Sequence, residues 1–382
     1  MYYVTTMQRR RPRQLSWEDV INERVFMNNA TTDSSNCTAT ITKRFETIDR
    51  NVLDKINVDS MIGWLKRFNE NNATLHNTDK NELFYSFKIP KKTGGFRPID
   101  EPIPELKNQL TILSSFLSEE CGLLYHTSAF AYVPGRSIVD NNKKHVSNES
   151  NWYLKTDFSG FFPNTNIDFV MKMLGMVFPT SEICKVPEGF KELKKALSLN
   201  YLANGTMPQG SPLSPFITNW IMIPIDFKIF NELAKRKLVY TRYADDMIIS
   251  GQEKFPWRNI VRFINEVIHE FDAPYKIKSE KTRFGSRKGQ NWNLGLMINA
   301  ENNITIGWKK KQYFKAALNS FILDTLNRKY WVLEDVMHLR GQLSYYRMVE
   351  KEYFKKIVSV QCEKYHVNID EMFKNYLNGT IR

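Results

Sequence analysis

Two adjacent carboxylates, Asp245 and Asp246, are the side chains of this sequence best placed to do chemistry. They stand between two short runs, 239–243 and 247–249, in which apolar, β-branched and aromatic residues favour strands. The pattern predicts a strand, a tight acidic turn and a second strand. Because side chains alternate along strands, one carboxylate can face a cleft while the other supports it. Since an acidic hairpin turn is most often only solvated, a catalytic role requires a third carboxylate elsewhere.

Asp157 provides the third carboxylate, where the apolar strand that begins at Trp152 meets a Ser-Gly turn. A Gly/Pro/Ser-rich loop, 208–215, lies between the two acidic motifs. In this order and spacing the three motifs resemble those of the reverse transcriptases, with Tyr243-Ala-Asp-Asp246 as the signature, and the resemblance covers residues 84 to 365. It implies an RNA-directed DNA polymerase with an α+β right-hand fold, which comprises fingers, a palm of antiparallel sheet plus helices, and a helical thumb.

The elements that position these motifs divide into three predicted parts. They are a mostly helical N-terminal extension (1–80), the fingers and palm (81–300) and a helical thumb (301–382). Hydrophobic periodicity predicts helices at 53–68, 105–124, 257–271, 333–349 and 352–365, and a hairpin is predicted over 83–99. Ser214 is predicted to cap a helix with Pro215 at its first position, and Pro224 is expected to kink that helix.

The resemblance implies nucleotidyl transfer assisted by two Mg²⁺ ions, with Mn²⁺ as the alternative. Such ions lie about 3.5–4 Å apart, stabilise the attacking and leaving oxygens, and take hard oxygen ligands. Asp157 and Asp245 would bridge the ions, Asp246 would be a more peripheral ligand, and the carbonyl of Phe158 would complete one shell. Phe162 occupies the position of the family's sugar gate, where a bulky ring excludes a ribose 2′-hydroxyl. The alternative for Phe162 is an ordinary core aromatic.

Five further residues are implied to bind the incoming dNTP: Lys91, Arg97, Gln209, Gly210 and Lys281. Lys91 and Arg97 belong to the fingers hairpin, where cations suit a triphosphate because a guanidinium binds its oxygens bidentately. Gln209 and Gly210 would touch the nucleotide and the template base. Lys281 matches a family lysine near the triphosphate and is a candidate acid for pyrophosphate.

Nucleic-acid contacts are expected at two places. Arg136, in a Gly-Arg-Ser turn, is the candidate contact to the template strand. Lys309, Lys310, Lys311 and Lys315 decorate the start of the first thumb helix, whose apolar residues recur every third or fourth position from Tyr313 to Ile322. Because positive charge there opposes the helix dipole, an anionic partner explains these lysines better than packing does. They would grip phosphates of the template–product duplex.

Composition bounds these interpretations. Of the 382 residues, 42% are hydrophobic and 13% aromatic, so a globular chain is expected. The net charge of +13 fits either a basic soluble protein or a polyanion partner. The four cysteines are far apart and form no zinc motif, so reduced thiols in the cytoplasm are expected. Neither a secretory signal nor a membrane span is expected.

The compact length and the segments 304–309 and 339–345 resemble the bacterial retron-like and defence-associated reverse transcriptases. Two departures leave a sister defence group as an equal alternative. Asn142 replaces the alanine of the retron Asn-Ala-x-x-His box, here 141–145, and Asn293-Leu-Gly295 replaces Val-Thr-Gly. The resemblance implies a dedicated noncoding RNA as template and a role in antiphage defence. An effector protein or a second polymerase is an expected partner, for which Arg9–Arg13 and the polar loop 31–40 are candidate surfaces.

Alternative functions remain open at this point. One is a template-independent or protein-primed DNA polymerase, for which Tyr2 and Tyr3 are accessible candidates. Another is an RNA-binding subunit that keeps a polymerase fold, although all three carboxylates are present. A third is an RNA-dependent RNA polymerase, which Ala244 and Phe162 disfavour.

Overall fold

A computed structural model describes residues 57–91, 94–120, 125–288 and 292–379. Most of the predicted N-terminal extension, with Tyr2, Tyr3, Arg9–Arg13 and the loop 31–40, lies outside these ranges. The described residues belong to two compact units. The first takes residues up to Arg136 together with Lys155–Ile249 and Pro256–Arg283, and the second takes Ser137–Leu154, Ser250–Phe255 and the residues from Phe284 onward. The predicted boundaries at 80 and 300 remain predictions.

Helices and strands both contribute, as an α+β fold requires. The described helices are α1 Val58–Asn71, α2 Ala73–Asn77, α3 Pro104–Glu120, α4 Ile138–Ser147, α5 Phe161–Asn164, α6 Ile167–Leu174, α7 Thr180–Lys185, α8 Pro187–Ser198, α9 Ser214–Ile221, α10 Ile223–Lys235, α11 Trp257–Glu270, α12 Trp308–Leu326, α13 Leu333–Val349, α14 Lys351–Tyr365 and α15 Ile369–Leu377. The strands are β1 Phe84–Pro90, β2 Phe96–Pro102, β3 Trp152–Ser159, β4 Val239–Tyr243, β5 Asp246–Gly251, β6 Lys276–Ile277, β7 Arg283–Ser286, β8 Trp292–Asn293, β9 Leu296–Ile298 and β10 Ile304–Thr305.

The central sheet of the first unit orders its strands β4-β5-β3-β6, and β7 also pairs with β3. The residues of β3 and β5 are mostly buried on both sides, which explains their near-continuous apolar character. The predicted hairpin is confirmed, since β1 and β2 pair antiparallel from Phe84 opposite Pro102 to Pro90 opposite Phe96. Gly94 and Gly95 have φ of +89° and +78°, so their lack of a side chain permits the turn.

The prediction for Ser214 is wrong in detail. Ser214 lies inside α9, which follows Leu213 without a side-chain cap, and its hydroxyl instead accepts a hydrogen bond from Asn200. The continuous helix expected through Pro224 is two helices that meet at Met222. Proline near the start of α10 needs no partner for its missing N–H, so the chain restarts a helix there at little cost.

The second unit has its core in the four C-terminal helices. The fully buried rings of this helical core are Phe314 and Phe321 of α12, Phe354 of α14 and Phe373 of α15. Tyr313, predicted to share the apolar face of α12, is instead 76% exposed. In the described part of the chain, no helix has both the length and the apolar character needed to cross a membrane.

Candidate active site

The turn between β4 and β5 carries the two adjacent carboxylates, as predicted. Ala244 precedes them with φ of +57°, a left-handed conformation that residues with a Cβ rarely adopt. This conformation costs free energy, so contacts from the surrounding structure must hold the turn in place. Asp245 is half-buried and Asp246 is exposed at the start of β5.

Asp157 joins this turn through the backbone. The N–H of Phe158, the next residue along β3, donates to the carbonyl oxygen of Asp245 at 3.2 Å. That hydrogen bond brings Asp157 beside Asp245 and Asp246, which are 88 and 89 positions later in the chain. The three predicted catalytic residues therefore share one location in the first unit.

The side chain of Asp157 is 2% exposed, and its two carboxylate oxygens lie in different environments. Oδ2 accepts a hydrogen bond of 2.6 Å from Nζ of Lys281, and Nζ of Lys278 lies 3.5 Å from the same oxygen. Oδ1 is buried and has no hydrogen-bond partner among the described residues. An unpaired buried carboxylate oxygen is costly, so this atom is suited to accept a cation or a donor from outside the protein.

The electrostatics of the site disfavour the ionised forms of Asp245 and Asp246. Burial raises the pKa of Asp245, and the nearby charge of Asp157 raises it further. Burial, followed by the charges of Asp245 and Asp157, raises the pKa of Asp246 to about 6. Because Asp246 as a whole residue is exposed to solvent, we attribute the rise in its pKa more to the like charges of Asp245 and Asp157 than to burial. Bound cations would relieve this repulsion.

These residues fit a divalent cation, although the described residues contain no preassembled group of three or more metal-ligating side chains. The available donors are hard oxygens, as Mg²⁺ and Mn²⁺ prefer. One of them, Oδ1 of Asp157, is buried and unpaired. A site that keeps several positions for water and substrate phosphates does not need a closed cage of side chains.

Phe162 differs from its aromatic neighbours. Phe158 and Phe161 are buried, whereas Phe162 is only half-buried and meets Phe161 edge to face at 5.6 Å between ring centroids. It is the second residue of α5, five positions after Asp157. The ring is therefore held by the core on one side while part of it remains accessible, as the sugar-gate prediction requires.

The loop with Gln209 and Gly210 is fastened to the hairpin. The carbonyl oxygen of Gln209 accepts a hydrogen bond of 2.8 Å from the N–H of Asp100 in β2. Gly210 has φ of +136°, and a Cβ on it would lie 3.0 Å from the carbonyl oxygen of Asp100, so only glycine fits. Lys91 and Arg97, at the other end of the hairpin, are exposed. The sequence motifs did not identify Asn200 as a functional residue. Its side chain hydrogen-bonds the hydroxyls of Ser211 and Ser214 and so helps to fix this loop.

Three predicted nucleic-acid contacts are engaged within the protein. Nη1 of Arg136 donates to the carbonyl oxygens of His126 and Ala129 at 2.7 and 2.6 Å, so this nitrogen closes a turn, and the contact of Arg136 with the template stays a prediction. Lys311 pairs with Glu350 at 2.5 Å, and both side chains are largely buried. Lys310 donates to the carbonyl oxygen of Gly295 at 3.0 Å. The pairing of Lys311 inside the protein argues against a surface role for that lysine, whereas Lys309 and Lys315 are exposed. Binding of nucleic acid by these lysines stays a prediction.

The Asp226–Arg242 ion pair, entirely buried beneath the turn with Asp245, was also missed. The available signal was a single arginine within an otherwise uncharged and mostly buried strand, Val239–Tyr243. Nothing in the local sequence of β4 indicates its partner, which lies in α10.

The two boxes that depart from the retron pattern are interior. Asn142 and His145 are 0% exposed and Asn293 is 1% exposed. The Nδ2 of Asn142 lies 3.5 Å from the carbonyl oxygen of Asn293, at the limit of a hydrogen bond, and the Nδ1 of His145 lies 2.6 Å from the hydroxyl of Ser250. Side chains buried in this way pack the second unit and do not present a surface to RNA.

Comparison with known proteins agrees with the family resemblance of the sequence motifs. The family described as "Reverse transcriptase (RNA-dependent DNA polymerase)" matches residues 89–313. The retron Ec83 reverse transcriptase of Escherichia coli is 26% identical over 303 residues, which cover 77% of this chain and 90% of the relative. The retron Ec73 reverse transcriptase of Escherichia coli is 28% identical over 275 residues, which cover 70% and 84% of the two chains.

A solved structure with distant similarity is the apo telomerase of Candida tropicalis truncated from its C-terminal domain. It is 14% identical, with a TM-score of 0.41, and the match covers 60% of this chain and 56% of that one. This chain thus spans a little over half of the telomerase chain. The family match, in contrast, covers more than half of the present chain. The protein therefore belongs to the reverse transcriptases, which are RNA-directed DNA polymerases, and is of the bacterial retron type.

Proposed function

We propose that Asp157, Asp245 and Asp246 form the active site in which this reverse transcriptase joins dNTPs into complementary DNA. The observation that carries the proposal is the hydrogen bond from Phe158 N–H to the Asp245 carbonyl, which gathers the three carboxylates. Two Mg²⁺ ions, or Mn²⁺ in their place, would supply the charge stabilisation that in-line displacement at phosphorus requires. The side chains of the three aspartates and the carbonyl of Phe158 are the proposed ligands.

The reaction joins the 3′-oxygen of the primer to the α-phosphorus of the dNTP and releases pyrophosphate. Lys281, held beside Asp157 in the absence of substrate by a contact that raises its pKa, would be released from Asp157 to serve the leaving group. Lys91 and Arg97 would bind triphosphate oxygens from the hairpin. Gln209 and Gly210, which are fastened to β2, would contact the nucleotide and the template base. An exposed hairpin joined at its base to the nucleotide loop can close over a substrate as one body.

Phe162 would select deoxyribonucleotides from beneath the sugar. The half-buried ring, backed by Phe161, supports this role because a rigid wall excludes a hydroxyl better than a mobile one. A DNA-polymerising family also favours this assignment over the RNA polymerase alternative.

The proposed template is a dedicated noncoding RNA, and the proposed setting is antiphage defence with an effector protein or a second polymerase as partner. The support is the similarity to retron reverse transcriptases across most of the chain. Priming is proposed to differ from that of a true retron because the boxes at 141–145 and 293–295 are altered. Since these side chains are buried, their effect on priming would act through the packing of the second unit.

Primer extension on a defined RNA template, with dNTPs or NTPs and with or without a chelator, tests the activity. Sequencing of the RNA and DNA that copurify with the protein tests the template assignment. A single RNA species matched by complementary DNA is expected, whereas a broad mixture of cellular transcripts would contradict a dedicated template. The 5′ end of that DNA tests priming. A 2′–5′ branched RNA–DNA junction would make the protein an ordinary retron enzyme.

A further inference from the structure

Arg242 in β4 is fully buried together with the carboxylate that it binds. Its Nε and Nη2 donate to both oxygens of Asp226 in α10, at 2.9 to 3.0 Å and 2.7 Å. Tyr240, on the same side of the strand, donates its hydroxyl to Asp226 at 2.8 Å. This leaves Asp226 with three donors, so the charge of the pair is compensated and the guanidinium is held in a single orientation.

The remaining nitrogen of this guanidinium points along the chain toward the acidic turn. Nη1 of Arg242 donates to the carbonyl oxygen of Ala244 at 3.0 Å and to Oδ1 of Asn219 at 3.2 Å. Asn219 is itself anchored, because its Nδ2 donates to the carbonyl oxygen of Ala131 at 2.7 Å. The Ala244 carbonyl therefore accepts a hydrogen bond from a guanidinium whose position is fixed by Asp226 on one side and by Asn219 on the other.

The Ala244 carbonyl belongs to the peptide that links Ala244 to Asp245. Because Ala244 has φ of +57°, its peptide is held in an unfavourable conformation that would relax without an external contact. Rotation of this peptide would reorient the Asp245 side chain and the carbonyl that bonds Phe158. Among the described residues, the side chain of Arg242 donates to that carbonyl.

We propose that Arg242, oriented by Asp226, is a positioning residue that locks the Ala244–Asp245 peptide and so sets the geometry of the metal-binding carboxylates. This inference rests on the proposed assignment of Asp245 as a metal ligand. Because Arg242 has no exposed surface, it would act through the Ala244 carbonyl and not by direct contact with substrate. Partners that orient metal ligands typically change metal affinity or activity about 10–100-fold when they are removed.

The test separates positioning from folding by removing the whole buried network. In the triple variant Asp226→Leu, Tyr240→Phe, Arg242→Met, no charge or tyrosine hydroxyl is left buried without a partner, and such apolar replacements of buried ion pairs are often neutral or stabilising. The readouts are the thermal midpoint and Mn²⁺ binding to the nucleotide-free protein, followed by electron paramagnetic resonance of unbound Mn²⁺. A midpoint near that of the unmodified protein with Mn²⁺ binding weakened about 10-fold or more is expected.

Two further variants make each failure interpretable. Arg242→Lys keeps a positive charge for Asp226, but a lysine cannot donate to Asp226, Asn219 and Ala244 at once. This variant should therefore also weaken Mn²⁺ binding. It is the variant to measure if the triple variant does not fold. The matched control, Glu232→Gln with Arg236→Gln, removes an exposed arginine–carboxylate pair at the end of α10 and should change nothing.

Mn²⁺ affinity within twofold of the unmodified protein in a folded Arg242 variant would overturn the positioning role. Unchanged Mn²⁺ affinity in Asp245→Asn would instead overturn the metal site itself. The failure of this inference and the failure of the proposed function are therefore distinguishable.

Discussion

Replacing Lys281 with glutamine should tighten the binding of Mn²⁺ to the nucleotide-free protein. In the absence of a cation, Nζ of Lys281 holds Oδ2 of Asp157 at 2.6 Å, so a metal ion must compete with a protein charge for that oxygen. The same substitution should weaken dNTP binding, because the lysine released from Asp157 is proposed to serve the triphosphate. Opposite effects on the two ligands are the signature of a lysine that changes partners.

The size of the effect follows from the exposure of the pair. A hydrogen bond to a charged group contributes about 1.5–3 kcal/mol. Solvent screening reduces this because the Lys281 side chain is 58% exposed, although Asp157 is only 2% exposed. Lys278, at 3.5 Å from the same oxygen, can partly replace the lost charge. We therefore expect about 1 kcal/mol, which corresponds to about fivefold tighter Mn²⁺ binding.

The assay is a Mn²⁺ titration at fixed ionic strength with electron paramagnetic resonance detection. Lys276→Gln is the matched control, because Lys276 is an exposed lysine in β6, the strand paired with β3 just beyond Asp157. It removes the same charge nearby without touching Asp157, so its effect should stay below about twofold. Equal Mn²⁺ affinities of Lys281→Gln and Lys276→Gln would refute competition between Lys281 and the metal ion for Asp157. Weaker Mn²⁺ binding in Lys281→Gln would show that the lysine assists metal binding instead.

Three further predictions follow from other parts of the molecule. Phe162→Ala should raise NTP incorporation relative to dNTP at least ~10-fold in single-nucleotide extension, and a fixed ratio would make Phe162 a core residue only. Changing Lys309 and Lys315 to glutamine should lower the dependence of duplex affinity on salt, the log–log slope, by about 2 in total. Lys311→Gln should leave this slope unchanged and lower the thermal midpoint, because Lys311 pairs with Glu350 inside the protein. Burial lowers the pKa of His145 to about 3. In the unfolded chain a histidine has a pKa near 6.5 and binds a proton below that pH, whereas His145 in the folded chain stays neutral. His145 therefore lowers the free energy of unfolding by about 1.4 kcal/mol for each pH unit below 6.5. His145→Gln should remove that part of the dependence in urea titrations, and an unchanged slope would place the histidine in contact with water.

Local patterns predicted local structure well. The acidic turn, the hairpin and the helix α13 at Leu333–Val349 follow from periodicity and turn residues, which act over a few positions. The end of α9 did not follow, because a proline tolerated near a helix start gives the same local signal as one that kinks a helix.

Partners distant in sequence account for the contacts that the local sequence did not predict. Lys311 seemed to oppose the dipole of α12, but the carboxylate of Glu350 reaches back to it and also accepts the N–H of Ile306. Arg136 looked like a surface cation until the fold brought two carbonyl oxygens to it. In each case the charge was visible in the sequence, whereas the group that neutralises it depends on tertiary packing.

The two departures from the retron pattern illustrate the same limit. Asn142 and Asn293 appear as independent changes 151 positions apart, yet they are adjacent in the interior of the second unit. A larger polar side chain at one position alters what the other can accommodate. A sequence comparison of motifs cannot separate such coupled packing from a changed mode of RNA recognition.

The central claim is that Asp157, Asp245 and Asp246 form one metal-dependent active site for DNA synthesis. The most direct measurement is the rate of dNTP incorporation on an RNA template by the unmodified protein and by Asp245→Asn, across a Mn²⁺ and Mg²⁺ titration. Asparagine keeps the shape of the side chain but removes its charge, so the rate should fall about 10²–10³-fold or more at saturating metal while the thermal midpoint is retained. Incorporation by Asp245→Asn at the unmodified rate would contradict the assignment of this turn as the catalytic centre.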